Sequence, residues 1–216
     1  SRLAGLKINC IYIKRSFAIE MAAQQKPIMK FREFVALMAM MMSLTALSID
    51  AMLPALTQIG NDLGVTEPND NQLIISILFL GLAIGQLFYG PLSDAIGRKK
   101  AVYIGLVFFF IGCLISIFSN NLFIMLLGRA CQGFGLSGTR TISVAIIRDR
   151  FKGDQMAQVM SFVMATFIIV PTIAPFMGQG ILWIAHWSFI FWTILGLGLI
   201  LFVWFSTRQQ ETLKKE

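Results

Sequence analysis

The sequence predicts an all-α membrane protein with six transmembrane helices and both termini in the cytoplasm. The chain of 216 residues is 56% hydrophobic and only 13% charged, whereas soluble domains use about 25% charged residues to cover their surface. Its apolar runs are continuous rather than alternating, which favours helices over a β-barrel. Its basic residues fall in alternate linkers, and this pattern sets the orientation of the spans.

A membrane-spanning helix needs about 20 largely apolar residues, and six runs of this kind occur in the chain. We expect residues 21–207 to form one six-helix domain, and residues 208–216 to be a cytoplasmic tail or the start of a longer loop. Residues 1–20 carry only short apolar pieces, so we expect a leader or a reading-frame artefact outside the fold. The six spans are placed at about 34–54, 72–92, 101–119, 122–146, 158–182 and 187–206.

Lys and Arg residues accompany the linkers before the first span and after the second, fourth and sixth spans, while the other linkers have neither. Cytoplasmic loops of membrane proteins carry this excess of positive charge. The net charge of +7 is therefore explained by orientation in the membrane, and no nucleic-acid partner is expected. The three cysteines show no spacing typical of a metal site or a disulfide framework.

Asp50 is the one acidic residue that the predicted spans place in an apolar segment. An ionisable group in a bilayer costs at least a few kcal/mol, so such a residue indicates a functional site. A carboxylate in these surroundings could gain and lose a proton as the conformation changes. The alternative is that Asp50 lies near the outer end of its helix and faces water.

Arg129 lies in the fourth predicted span at a depth similar to that of Asp50. At 1.5 Å per residue, Arg129 is about 10 Å and Asp50 about 6 Å below the outer end of its own helix. The two side chains could share one polar cavity, where Arg129 would favour the ionised form of Asp50. Alternatively, Arg129 has a structural role and bonds the carbonyl groups of broken helices. Arg140 lies three turns further along nearly the same face, and either lines the same pathway or extends to the membrane interface.

A charged string from Gly90 to Lys100 separates the second and third spans, and we expect it to form a tight loop at the membrane surface. Its glycines would permit tight turning or close helix approach. The spacing of its charges predicts a conformational latch on the cytoplasmic side. The alternative is simple anchoring by positive charge. The latch is composed of Gly90, Asp94, Gly97, Arg98 and Asp149.

The fifth predicted span contains two prolines four residues apart, Pro171 and Pro175. Each removes a backbone donor, so we expect a kink in this helix. Gly178 would let a neighbouring helix approach closely, and Gln179 could face a cavity.

Together these segments resemble the amino-terminal half of a major facilitator superfamily transporter of the drug:proton antiporter branch, and most of all the bicyclomycin/chloramphenicol resistance (Bcr/CflA) group. The resemblance covers Met21 to about Thr207. Pro171–Gly180 resembles the antiporter motif in an Ala-Pro form rather than the usual Gly-Pro form. The other matching segments are Asp50–Pro54 (Asp-x-x-x-Pro), Gly90–Lys100 (the loop after the second helix), Arg129–Gly135 (Arg-x-x-Gln-Gly-x-Gly) and Arg148–Asp149 (the end of the fourth helix).

The resemblance implies a rocker-switch exporter of small apolar or cationic drugs in the bacterial inner membrane, driven by the proton gradient without any cofactor. Asp50 would carry the proton or contact cationic substrates, while Arg129, Gln132 and Arg140 would belong to the coupling site. Each half of such a transporter is a 3+3 inverted repeat, and the substrate site lies between two halves. A carboxy-terminal six-helix half is therefore the expected partner, in the same chain or in a second one. A truncated or non-transporting membrane subunit is the alternative.

A rhomboid-like intramembrane protease is a remote alternative, because the chain contains Gly-x-Ser-Gly at Gly135–Gly138 and a histidine at His186. The predicted depths argue against it. Ser137 would lie about 22 Å below the outer end of its helix, whereas His186 would lie at the outer surface. A nucleophile and its base must approach within about 3 Å, so the sequence predicts no enzyme.

Overall fold

The computed structural model describes residues 29–212, and the chain from Arg32 onward forms one compact unit. The predictions for residues 1–20 and for the end of the tail lie outside the described residues. Within these residues the secondary structure is entirely helical. The helices are α1 (Phe31–Asp50), α2 (Leu56–Asp62), α3 (Leu73–Ile96), α4 (Arg98–Ile117), α5 (Leu122–Arg150), α6 (Gly153–Ile184) and α7 (Ser188–Arg208), with short 3₁₀ turns at Leu53–Ala55 and Pro68–Gln72.

Six long helices, α1 and α3 to α7, lie at the positions of the six predicted spans. Five of them are long and apolar enough to cross a membrane when α1 is counted together with α2. The remaining helix, α5, has 29 residues, but arginines, serines and glycines interrupt its apolar sequence. The predicted all-helical class is therefore confirmed, and the least apolar helix is the one that carries Arg129 and Arg140.

The first span is not one continuous helix. α1 ends at Asp50, and a turn with Pro54 in it precedes α2. Pro54 has no backbone N–H and cannot donate to the carbonyl of Asp50 four residues earlier, which explains the interruption. Asp50 consequently lies at a helix end, where backbone carbonyl groups lack intrahelical donors.

The predicted tight loop between the second and third spans is wrong in extent. α3 continues through Gly90 and Pro91 to Ile96, and α4 begins at Arg98. The connection is the single residue Gly97, whose φ of 101° suits a residue without a Cβ. Charged side chains at a helix end beyond the apolar run are solvated as well as they are in a loop, so their presence in the sequence did not define where the helix stops.

Glycines on α5 allow neighbouring helices to approach it closely. A Cβ on Gly133 would collide with the backbone of Leu78 in α3, and one on Gly135 would collide with the backbone of Phe109 in α4. From the other side, Gly81 of α3 lies against the backbone of Ala130 in the same way. Small residues at such contacts are the usual means by which membrane helices pack. α5 packs most extensively against α3 and α4 and thus forms the centre of the bundle.

Replacement of Gly135 by alanine should destabilise the bundle, because the added methyl group has backbone atoms in its path. We expect a loss of about 1–3 kcal/mol, measured by thermal unfolding of the detergent-solubilised chain. Gly196→Ala is the matched control, since a Cβ at Gly196 meets nothing within 4 Å. Equal unfolding temperatures for the two variants would contradict this packing.

Candidate functional site

Arg129 is completely buried in the bundle, with 0% of its surface exposed. Its Nη1 donates to Oε1 of Gln132 at 2.7 Å, and its Nη2 donates to the carbonyl oxygen of Ser48 at 3.0 Å. Its Nε donates to the carbonyl oxygen of Ile74 at 3.3 Å. The guanidinium group of α5 therefore holds α1 and α3 by their backbones.

The break in α1 explains why one of these acceptors is available. Ser48 lies two residues before the end of α1, among the last carbonyl groups that have no intrahelical donor. Arginine suits such a place because its planar group presents several donors in a fixed arrangement. The guanidinium group of Arg129 therefore supplies a donor to a carbonyl group that the end of α1 leaves without one, and this carbonyl group supplies an acceptor to the buried charge.

Gln132 extends this polar group to a further helix. Its side chain accepts from Arg129 and donates through Nε2 to Sγ of Cys113 in α4 at 3.2 Å. The ring of Phe191 in α7 covers the guanidinium group, with its centroid 5.8 Å from Cζ of Arg129. We call Arg129, Gln132, Cys113 and the carbonyl groups of Ser48 and Ile74 the arginine cluster; five helices contribute to it or cover it.

Asp50 lies beside the arginine cluster but is not paired with it. Its side chain is half-buried, two residues beyond Ser48. The ion pairs and hydrogen bonds found among residues 29–212 include neither an Asp50–Arg129 pair nor any other partner of the Asp50 carboxylate. The structure thus brings both residues to the break in α1, and Arg129 bonds carbonyl groups as the structural alternative expects. The proton-coupling roles remain predictions.

The charged residues of the latch meet where α3 and α5 end and α4 begins. Nη1 of Arg98 lies 2.6 Å from Oδ1 of Asp94, and Nε of Arg98 lies 3.0 Å from Oδ2 of Asp149. The hydroxyl of Ser93 accepts from Arg98 at 2.6 Å and donates to the carbonyl oxygen of Gly90. Sequence reasoning missed Ser93, although it precedes Asp94 in the same string.

Arg140 lies near the latch rather than in the arginine cluster. It lines a cavity of about 470 Å³ between α3 and α5, whose wall also includes Asp94, Arg98 and Asp149. Its guanidinium carbon is 5.4 Å from the centroid of the Phe167 ring in α6. The structure therefore places a cation–π contact between two helices that otherwise share few contacts.

α6 remains helical through both Pro171 and Pro175, and the kink stays a prediction. Gly178 is buried, and a Cβ there would collide with the carbonyl oxygen of Ala51, the first residue after α1. Gln179 is half-buried. The glycine of this motif thus packs directly on the break in α1, a contact that the sequence did not reveal.

Comparison with known proteins shows which family this architecture belongs to. The profile described as Major Facilitator Superfamily matches residues 36–216. The chain is 35% identical over 182 residues to the uncharacterized MFS-type transporter YdgK of Bacillus subtilis, with 83% of this chain and 45% of that protein covered. It is 32% identical over 183 residues to the bicyclomycin resistance protein homolog of Haemophilus influenzae, with 85% and 46% covered.

A third relative is the multidrug resistance protein MdtL of Vibrio parahaemolyticus, 30% identical over 156 residues, with 72% of this chain and 39% of that protein covered. Among solved structures, the human organic anion transporter TETRAN superposes with a TM-score of 0.65 at 19% identity, with 88% of this chain and 49% of that chain covered. A peptide transporter, POT, superposes with a TM-score of 0.70 at 16% identity, with 88% and 41% covered. The chain therefore spans about half the length of the proteins it matches.

Arg129→Lys should destabilise the bundle, because an ammonium group cannot reach acceptors on two other helices and Gln132 at once. We expect a loss of roughly 2–4 kcal/mol, equivalent to one or two hydrogen bonds to a charged group. Arg140→Lys is the control, because the cation–π contact that it alters is worth only about 1 kcal/mol. Chemical denaturation in detergent measures both variants. Equal losses of unfolding free energy in the two variants would show that the hydrogen bonds of Arg129 do not stabilise the bundle more than the Arg140 contact does.

Proposed function

Since the chain belongs to the Major Facilitator Superfamily, we propose that it forms the amino-terminal half of a transporter that exports drug-like molecules in exchange for protons. The observation that carries this proposal is the position of Asp50 at the break in α1, two residues from a carbonyl group held by Arg129. The names of two relatives, a bicyclomycin resistance protein homolog and a multidrug resistance protein, support drugs as the substrate class.

The family consists of transporters and is not enzymatic, so the serine protease alternative is wrong. The geometry agrees with this conclusion. The hydroxyl of Ser137 donates to the carbonyl oxygen of Phe134 at 2.6 Å. His186 contacts Oδ2 of Asp62 through Nε2 at 2.9 Å. Ser137 and His186 therefore bond to different partners and not to each other.

Proton coupling in this proposal follows from the charge of the arginine cluster. Arg129 is held by neutral acceptors among the described residues, so its positive charge attracts any anion that comes near it in the apolar bundle. An ionised Asp50 is drawn toward this charge, and a protonated Asp50 is not. Because Gly178 packs on the same break, movement of Asp50 would displace α1 relative to α6. Protonation would thereby alter the packing of helices that face the substrate pathway.

The setting of this half is part of the proposal. Membership of a family of multi-pass membrane proteins implies a lipid bilayer and small-molecule substrates. The bacterial relatives support the inner membrane as the location. The basic linkers predict that both termini lie in the cytoplasm. A carboxy-terminal six-helix half would complete the transporter. The apolar residues that α6 leaves exposed support a surface covered by lipid or by that second half; they include Phe162, Ile168, Phe176, Trp183 and Ile184.

Asp50→Asn should abolish the dependence of drug efflux on the proton gradient, because an amide cannot exchange the proton. The assay uses membrane vesicles in which the chain is produced with a carboxy-terminal half, and follows a fluorescent lipophilic cation after a pH step. We expect the gradient-driven rate to fall about tenfold or more, within the range of ordinary coupling energies.

Asp70→Asn is the matched control, since Asp70 is exposed in the turn before α3. It should transport as the unchanged protein does. Gradient-driven efflux by Asp50→Asn at the unchanged rate, with equal amounts of protein in the membrane, would remove Asp50 as the proton carrier and favour a non-transporting or differently coupled subunit.

A further inference from the structure

We infer that Glu211, which follows α7, is a positioning residue for the latch: its carboxylate caps the first turn of α4 and thereby holds Arg98 between Asp94 and Asp149. The consequence for transport rests on the proposed function, whereas the structural part does not. No motif singled out in the sequence includes Glu211.

Both oxygens of the Glu211 carboxylate are engaged at the start of α4. Oε1 accepts from the backbone N–H of Arg98 at 2.9 Å, and Oε2 accepts from that of Lys99 at 3.1 Å. The first N–H groups of a helix have no acceptor within the helix, and the positive end of the helix dipole favours a negative charge there. Glu211 thus serves as the cap of α4, although it lies more than a hundred residues away in sequence.

Gly97 makes this capping possible. Its positive φ turns the chain between α3 and α4, and a Cβ at this position would lie 2.7 Å from Oε2 of Glu211. The positive φ of Gly97 suits the turn, and the missing Cβ leaves room for the carboxylate in the position that it adopts.

The segment around Glu211 is held at further points. Lys99 donates through Nζ to the carbonyl oxygen of Ser206 near the end of α7 at 2.9 Å. Gln209 is buried, with 2% of its surface exposed. The hydroxyl of Thr212 lies 3.5 Å from Oδ2 of Asp149, the same oxygen that binds Arg98. The end of α7 and the following four residues therefore lie across the start of α4 and touch the latch itself.

This arrangement gives Glu211 an effect on the latch through Arg98. The backbone of Arg98 is fixed by the carboxylate of Glu211, and its side chain reaches Asp94 and Asp149 from that fixed point. Glu211 does not line the cavity beside the latch, so it has no direct access to a molecule there. Withdrawal of the segment after α7 would free the turn at Gly97 and loosen the pairing of Arg98. The chain that leads out of α7 is thus mechanically connected to the latch.

Hydrogen exchange of the chain in lipid nanodiscs tests the cap directly at single-residue resolution. Glu211→Ala should speed exchange of the Arg98 and Lys99 amides about five- to tenfold, as expected for loss of a helix cap. Glu211→Gln retains one acceptor oxygen and should keep one of the two amides protected. Gln210→Ala, at an exposed neighbouring position, should leave both amides unchanged. Equal exchange in Glu211→Ala and Gln210→Ala would overturn the inference.

Transport kinetics then separate positioning from substrate contact. With the complementary half present, Glu211→Ala should lower kcat for gradient-driven efflux and leave KM unchanged, with partial rescue by Glu211→Gln. A raised KM with unchanged kcat would overturn the positioning role. Absence of transport in the unchanged protein would instead refute the proposed function, and the exchange result would still decide whether Glu211 caps α4.

Discussion

A charged group without water around it must find its hydrogen-bond partners in the protein, and this requirement shapes the centre of the bundle. An unpaired guanidinium group in such surroundings would cost several kcal/mol. Arg129 meets the requirement by binding backbone carbonyl groups of two other helices and the side chain of Gln132. The carbonyl oxygen of Ser48 is available because α1 ends at Asp50, ahead of the turn that contains Pro54. The polar centre and the broken first span therefore depend on each other.

Close packing around this centre depends on residues without side chains. Gly133 and Gly135 bring α3 and α4 onto α5, and Gly178 brings α6 onto the break after Asp50. The guanidinium group of Arg129 reaches backbone carbonyl groups on α1 and α3 within this closely packed region. At the other end of the same helices, Arg98 lies between two carboxylates, one on α3 and one on α5. Two arginines thus tie the same pair of helices at two depths.

The sequence predicted the parts of this structure that follow from hydropathy and local charge. The six spans, the charged residues inside them and the approach of Asp94, Arg98 and Asp149 all follow from such local patterns. The sequence did not reveal that α3 continues to Ile96, because a solvated helix end and a loop accept the same charges. It also could not show that Arg129 binds Ser48 or that Glu211 caps α4, since both contacts join residues far apart in the chain and use backbone groups that every residue possesses.

The most direct test of this account measures whether Arg129 holds the broken end of α1 against α5. Spin labels carried on non-cysteine amino acids at the exposed positions Leu53 and Leu127 would report the separation by pulsed electron resonance in nanodiscs. The account predicts one narrow distance distribution for the unchanged chain and for Arg140→Met, and a broader, longer one for Arg129→Met. A narrow and unshifted distribution in Arg129→Met would contradict the claim that this buried arginine organises the helix bundle.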